Sequence, residues 1–261
     1  MRILVVNPNT SASMTRKIGS AAAAVASETT EIIAVNPSFG PPSIEGYFDE
    51  AFSVPGLIDE IVKVPDAHAT VIACFDDTGL DAARCITDAP VIGIGEAAFH
   101  MATLIAGRFS VVTTLSRSIP AIEGNLARYG LASRCTKVRA SDVPVLDLED
   151  PRSGAYQRIS NEIAAAIRND RAEAIVLGCA GMTDLASTLS QEHGIPVLDG
   201  VTCAVKLCEN LVALGLKTSK SGGYARPRAK AYSGVFARFS PGGTKIMADD
   251  REPIKTGSGD T

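Results

Sequence analysis

Short runs of β-branched and aliphatic residues alternate along this chain with longer, Ala-rich stretches of helical period, the rhythm of βα units that build a parallel sheet. The pattern predicts strands over residues 3–6, 31–35, 70–73, 91–94, 110–113, 137–139, 174–177 and 197–198. These runs are apolar throughout rather than alternating, as in strands covered on both faces. Helices are predicted over 13–27, 54–62, 79–87, 96–105, 119–129, 155–169, 184–193 and 202–214.

The chain also echoes itself. RILVVNPNTS is matched by RFSVVTTLSRS, TVIACFDDTG by AIVLGCAGMTD, and APVIGIGEAA by IPVLDGVTCAV. The landmarks keep their spacing: 106 residues from Asn7 to Thr113, 105 from Cys74 to Cys179 and 106 from Pro90 to Pro196. That period is too long for a solenoid and suits a pair of small α/β lobes. The expected architecture is therefore α/β, with two similar lobes of parallel-type sheet flanked by helices. The lobes are related by a pseudo-twofold axis, and the active site lies in the cleft between them. The first lobe is expected over 1–95, completed by the helix near 202–216, and the second over 96–201. Residues 219–261, rich in Gly, Pro and charge without periodicity, read as a flexible C-terminal tail.

Composition narrows the classes. With 261 residues, 46% hydrophobic and 21% charged, the chain is ordinary globular protein. A net charge of −4 offers no basic footprint for nucleic acid. No apolar run approaches the ~18 residues of a membrane span, so no membrane partner is expected. The four apolar residues before Asn7 are too few for a secretory signal. A cytoplasmic, reducing compartment is expected, where the six cysteines are thiols. No CxxC pair or histidine cluster suggests a metal, since His68, His100 and His193 lie far apart.

In open parallel sheets, ligands bind beyond the carboxyl ends of the strands. Four polar turns stand there: NPNTS after the first strand, FDDTG after Cys74, TTLS after the fifth strand and AGMTD after Cys179. Cys74 and Cys179 hold equivalent places in the two halves, at a strand end just before a helix. Free amide hydrogens and the helix dipole are expected to lower a thiol pKa there. Two such thiols facing one another flank one carbon, as needed to take a proton from one face and return it on the other. Free cysteine is more often a small buried hydrophobe, and Cys85, Cys135, Cys203 and Cys208 are read that way; matched placement sets the pair apart. Gly93-Ile94-Gly95 with Ala98 fits a GxGxxA fingerprint, but the acidic residue expected about 20 positions on is missing, so these glycines are read as permitting a tight turn. Asp76 and Asp77 are candidate carboxylates, although Asp after a strand more commonly caps a helix, and Asp184 reads the same way. His100 is read as a packed histidine, and Ser116 lacks a nucleophile elbow.

Several of these segments, in order, resemble one family. RILVVNPNTSASMT, PSIEGYFDEA, ACFDDTGLDAAR, PVIGIGEAAFHMAT, FSVVTTL and IVLGCAGMTDL are similar to the motifs of the Asp/Glu/hydantoin racemase superfamily, in its hydantoin and allantoin racemase branch. The resemblance spans residue 1 to about 220. It implies a catalytic pair at Cys74 and Cys179. It also implies substrate contacts at Asn9, Thr10, Ile44, Phe75, Asp76, Thr113 and Thr114 and at the backbone of Ala180 and Gly181. It implies a homo-oligomer that needs neither metal nor pyridoxal phosphate. Its implied activity is racemisation at C5 of hydantoins, with allantoin as the competing substrate. Asp76 stands where the branch usually has glycine. Gly181 stands where amino-acid racemases of the superfamily usually have histidine, which argues against glutamate or aspartate as substrate. Arylmalonate decarboxylases resemble this layout but keep one of the two cysteines.

The turn residues agree with a neutral ring. None of the four turns contains Lys or Arg, while Asp76, Asp77 and Asp184 lie in or beside them. A hydantoin carries a C–H bond beside a carbonyl, and backbone amides can stabilise the enolate left by deprotonation. The rival from another class is a non-catalytic small-molecule binding protein, which needs the cleft but has no need of matched thiols.

Overall fold

The computed structural model describes residues 1–242. The apolar runs form strands because both of their faces are covered: Ile3, Leu4, Val5 and Val6 are all fully buried. The first half runs β1 (Arg2–Val6), α1 (Ala12–Val25), β2 (Glu31–Val35), α2 (Tyr47–Lys63), β3 (Ala69–Ile72), α3 (Leu80–Ile86), β4 (Val91–Gly93) and α4 (Ile94–Ile105). The second repeats it as β5 (Phe109–Thr113), α5 (Ile119–Arg128), β6 (Cys135–Ala140), α6 (Ala155–Asp170), β7 (Ala174–Gly178), α7 (Ala186–His193), β8 (Val197–Asp199) and α8 (Gly200–Ala213). Every strand expected from the sequence is present, and Cys135, expected on a helix or in a connection, opens β6.

The two four-stranded sheets have the same order, β2-β1-β3-β4 and β6-β5-β7-β8, with every neighbouring pair parallel. Their registers match as well. Val6 pairs with Ile72 in the first sheet, and Val112 pairs with Leu177 in the second. Ile72 pairs with Gly93, and Leu177 with Asp199. The inner faces share one apolar core that includes Val5, Val71, Phe99, Phe109, Val111, Val176 and Val205. Phe99 sits edge-on to Phe75 at 5.4 Å between centroids and stacks on Phe109 at 5.9 Å. Leu57 and Leu80 cover the outer face of the first sheet, and Ile159, Ile163 and Leu189 that of the second. Helix α8, although last in sequence, packs on β3, α1 and α4. Its Glu209 accepts from the Ser27 amide at 2.8 Å and the Thr30 hydroxyl at 2.7 Å.

Three helices depart from the pattern. Helix α2 begins seven residues before the expected position 54, because its first turns expose Tyr47, Phe48 and Phe52 and so hide the amphipathic signal; Pro55 lies inside it. The helix expected over 184–193 is a 3-10 turn, Ala180–Leu185, followed by α7. Helix α4 starts at once after β4 because Asp77, in the left-handed region at φ 52°, accepts from the Gly95 and Glu96 amides at 2.9 and 2.8 Å. The glycines around Ile94 make room for that carboxylate. A Cβ on Gly93 would overlap it, and one on Gly95 would overlap the Phe75 carbonyl. His100, expected to be packed, lies on the exposed face of α4.

Beyond α8 the chain returns along α3. The Thr218 amide donates to the Asp88 carbonyl at 2.9 Å, and Arg84 lies over the Tyr224 ring at 5.6 Å. Residues Met1–Ala225 form one unit and a second begins at Arg226. In the second, a 3-10 turn spans Gly234–Phe239, and the Tyr232 amide donates to Ser240 Oγ. The rest of the expected tail, 243–261, lies outside the described residues. No helix among the described residues is long and apolar enough to cross a membrane.

The Asp77 cap supports a double-mutant test. Gly93→Ala is expected to destabilise the fold by about 2–3 kcal/mol through the clash with Asp77. Asp77→Ala should cost about 2 kcal/mol by leaving two buried amides without an acceptor. In the Asp77→Ala background the Gly93→Ala cost should fall below about 1 kcal/mol, a non-additivity that urea unfolding measures.

Candidate active site

The carboxyl ends of β1, β3, β5 and β7 border a single cleft with about 410 Å³ of space, partly open to solvent. Asn9 comes from the turn after β1, and Ala73, Cys74, Phe75 and Asp76 from the segment after β3. Thr113 and Thr114 stand at the end of β5, and Gly178, Cys179 and Ala180 at the end of β7. Ile44, from the loop before α2, and Val145 also line it. Both thiols therefore border one cavity, together with seven of the nine residues expected to bind substrate.

Two expected residues lie outside the lining. Thr10 holds a loop instead, its amide donating to the Pro41 carbonyl at 3.0 Å. Gly181 acts behind the wall: a Cβ there would lie 2.8 Å from Leu148 and 3.6 Å from Cys179 Sγ, and its amide donates to the Cys179 thiol. Met14, Ala73, Ser118, Val145 and Gly178 line the cleft without having been singled out. The internal echo held the signal for two of them, since Ala73 and Gly178 each precede a cysteine. Gly178 must be small because a Cβ would press on Thr113 at 2.7 Å, and Thr113 Oγ1 donates to the Gly178 carbonyl at 2.9 Å.

Local hydrogen bonds shape the first turn. Buried Asn7 Nδ2 donates to Asn9 Oδ1 at 2.8 Å and to Thr15 Oγ1 at 3.0 Å, and the Ser11 amide donates to Asn9 Oδ1 at 2.9 Å. On the other side, Asn125 Nδ2 donates to the Asp76 carbonyl at 2.8 Å, and Thr78 Oγ1 lies 3.3 Å from Cys74 Sγ.

The electrostatics correct the expectation of acidified thiols. Both are buried deeply enough that desolvation outweighs the nearby amides. Burial pushes the Cys74 thiol up, with the Asp76 charge adding to the shift against the Thr78 hydroxyl. Burial pushes Cys179 up to about 11, with the Gly181 amide and the Lys17 charge pulling down and Asp76 pushing up. The pair is thus unequal, Cys179 being easier to ionise. Lys17, from α1, reaches the AGMTD turn, donating to the Gly181 carbonyl at 2.8 Å and pairing with Asp184 at 2.8 Å. Of the three carboxylates expected beside the cleft, only Asp76 lines it. Asp77 caps α4, and Asp184 is spent on Lys17. Among the described residues, no group of three or more His, Cys, Asp and Glu is placed to hold a metal ion.

A family model described as Asp/Glu/Hydantoin racemase matches residues 3–208, a span that includes every residue lining the cleft and all of both sheets but Arg2. The chain belongs to the Asp/Glu/hydantoin racemase family. It is accordingly a racemase. It is 50% identical over 236 residues to a hydantoin racemase of Rhizobium meliloti, covering 90% of this chain and 98% of that one. It is 46% identical over 242 residues to a hydantoin racemase of Pseudomonas sp. (strain NS671), covering 92% and 97%. Among solved structures, an allantoin racemase from Klebsiella pneumoniae is similar with a TM-score of 0.90 at 50% identity, over 92% of this chain and 99% of that one.

The unequal thiols set an order of reactivity. Because the thiolate is the nucleophile, iodoacetamide should label Cys179 before Cys74, with a rate climbing about tenfold per pH unit between pH 8 and 10. Lys17→Met removes a cation that favours the Cys179 thiolate and should slow labelling there several-fold while leaving Cys74 unchanged. Peptide mapping by mass spectrometry reads both sites; equal slowing of the two would show that Lys17 acts on the fold rather than on one thiol.

Proposed function

We propose that this racemase inverts C5 of 5-substituted hydantoins by passing a proton between that carbon and two thiols, Cys74 and Cys179. The observation that carries the reading is their placement: repeat-equivalent cysteines at the ends of β3 and β7 both border one cavity. The substrate class comes from the hydantoin racemases to which the chain is 46–50% identical.

In the reaction, one cysteine as thiolate takes the C5 proton. The C–H electron pair moves into the ring as an enolate on the adjacent carbonyl oxygen. The other cysteine, as thiol, then donates its proton to the opposite face of C5. Charge and atoms balance: the ring leaves neutral with inverted C5, and the two sulfurs have exchanged protonation states. Burial works against the free thiolate but strengthens every dipole aimed at the enolate. Lys17 and the Gly181 amide make Cys179 the easier of the two to ionise, while the Asp76 charge raises both thiols. The remaining lining supplies Asn9, Thr113 and Thr114 as hydrogen-bonding groups and Ile44, Phe75 and Val145 as apolar walls for the 5-substituent.

Allantoin, a hydantoin whose 5-substituent is a ureido group, is the second reading, favoured by the likeness to the solved allantoin racemase. A homo-oligomer in a reducing compartment fits both readings. The exposed Tyr47, Phe48 and Phe52 on α2 support association, and the cysteines are free.

Cys74→Ser and Cys179→Ser should each lower the racemisation rate by about 10³-fold or more, since a hydroxyl is a far poorer base than a thiolate. Cys208→Ala, in the core beneath β3, should keep most of the activity and lose only stability. Polarimetry of single enantiomers of 5-benzylhydantoin and of allantoin measures all three variants and ranks the substrates. Near-normal racemisation in either serine variant would refute the two-thiol reading.

A further inference from the structure

Two apolar walls of the cleft come from opposite halves of the chain. Ile44 belongs to the loop before α2, and Val145 opens a 3-10 turn, Val145–Glu149, in the connection from β6 to α6. Both are buried and line the cavity. Glu45, next to Ile44 in the chain, accepts from the Val145 amide through Oε1 at 3.0 Å. At the far end of the same turn, Glu149 Oε2 accepts from the Ser13 hydroxyl at 2.9 Å, and Ser13 precedes Met14, another lining residue. The root of the connection stays with the second half. There the Ser141 amide donates to the Thr113 carbonyl at 2.9 Å, and Asp142 Oδ1 accepts from the Ser116 amide at 3.2 Å. The connection is thus a strap along the cleft, rooted at the end of β5 and tied to the first half at Glu45 and Ser13.

We propose that Glu45 is a positioning residue that clamps Val145 beside the Ile44 loop and so fixes the spacing of the walls that grip the 5-substituent. The inference rests on the hydantoin-type reading of the cleft and names what the site selects within that class: hydantoins whose 5-substituent is a compact aliphatic group. Glu45 is not among the residues that line the cavity; it acts through the amide of one that does. A carboxylate accepting from an amide makes a bond roughly twice as strong as a neutral pair, enough to hold one end of a strap in place. The ring is common to every substrate of the class, so its contacts with Asn9, Thr113 and Thr114 do not depend on the substituent. Only the substituent reads the walls. Each buried CH₂ contributes about fourfold to binding. An isobutyl group has three carbons more than a methyl group, and halving its contact with the walls costs about tenfold.

Three variants separate the clamp from the charge. Glu45→Gln keeps an acceptor oxygen at the same reach and loses the charge, which also pushes the Cys179 thiol up. Glu45→Asp keeps the charge and draws the oxygens back by one CH₂, and Glu45→Ala loses both. Racemisation of 5-isobutylhydantoin and 5-methylhydantoin is followed by polarimetry. Glu45→Asp and Glu45→Ala should raise KM about tenfold for the isobutyl substrate and less than about threefold for the methyl one, while Glu45→Gln keeps both KM values near wild type. Hydrogen exchange over residues 141–150, measured without substrate, should quicken in the same two variants and not in Glu45→Gln. Glu45→Asp, the milder change, carries both measurements where Glu45→Ala does not fold. If the two KM values rise together, if Glu45→Gln matches Glu45→Asp, or if exchange is unchanged in all three, the clamp is overturned and the hydantoin reading stands. If the wild-type chain racemises neither hydantoin, the reading itself falls, and the selectivity role with it.

Discussion

The site depends on strand register more than on any single contact. In each sheet the two central strands run parallel and leave the sheet side by side, Val6 beside Ile72 and Val112 beside Leu177. Cys74 and Cys179 each follow two residues after the second member of those pairs. They therefore emerge at the same level of their sheets and on equivalent sides. A slip of one residue in either pairing would turn a thiol to the opposite face. The buried apolar runs of β1, β3, β5 and β7 make such a slip costly, because all of those strands are covered on both sides.

Around that frame the two halves solve one problem with exchanged parts. In the first half the loop residue Asp77 reaches over Gly93 to cap α4. In the second the carboxylate sits at the strand end instead: Asp199 accepts from the Thr202 amide at 2.9 Å, capping α8, and from the loop hydroxyl of Thr183 at 2.6 Å. Asp77 and Thr183 are 106 residues apart, as are Gly93 and Asp199, so the two contacts occupy one position of the repeat. Each ties the loop that carries a cysteine to the helix after the neighbouring strand. Cysteine placement and helix capping are thus one structural device used twice.

Much of this was legible in the chain. The apolar runs marked every strand, and the 105–106-residue echo singled out both cysteines. What was not legible came from elements distant in sequence. Asn125, on α5, lies 49 residues after Asp76 and donates to its carbonyl at 2.8 Å. Lys17 reaches a turn 164 residues away. The sense of the thiol shifts reversed for a related reason: a strand end beside a helix promises a stabilised thiolate, but apolar groups such as Phe75, Ile44 and Val145 line the same cleft, and desolvation wins. The early start of α2 was hidden because aromatic residues on its exposed side broke the helical pattern.

Isotope incorporation separates two thiols from one base most directly. A single enantiomer of a 5-substituted hydantoin is incubated with the enzyme in D₂O, and both enantiomers are recovered at low conversion. With Cys74 and Cys179 on opposite faces of the ring, the newly formed enantiomer carries deuterium at C5 while the remaining starting enantiomer stays protiated, beyond its spontaneous exchange. Deuterium entering the starting enantiomer as fast as the product forms, or a product that keeps the original proton, would contradict transfer between two opposed thiols.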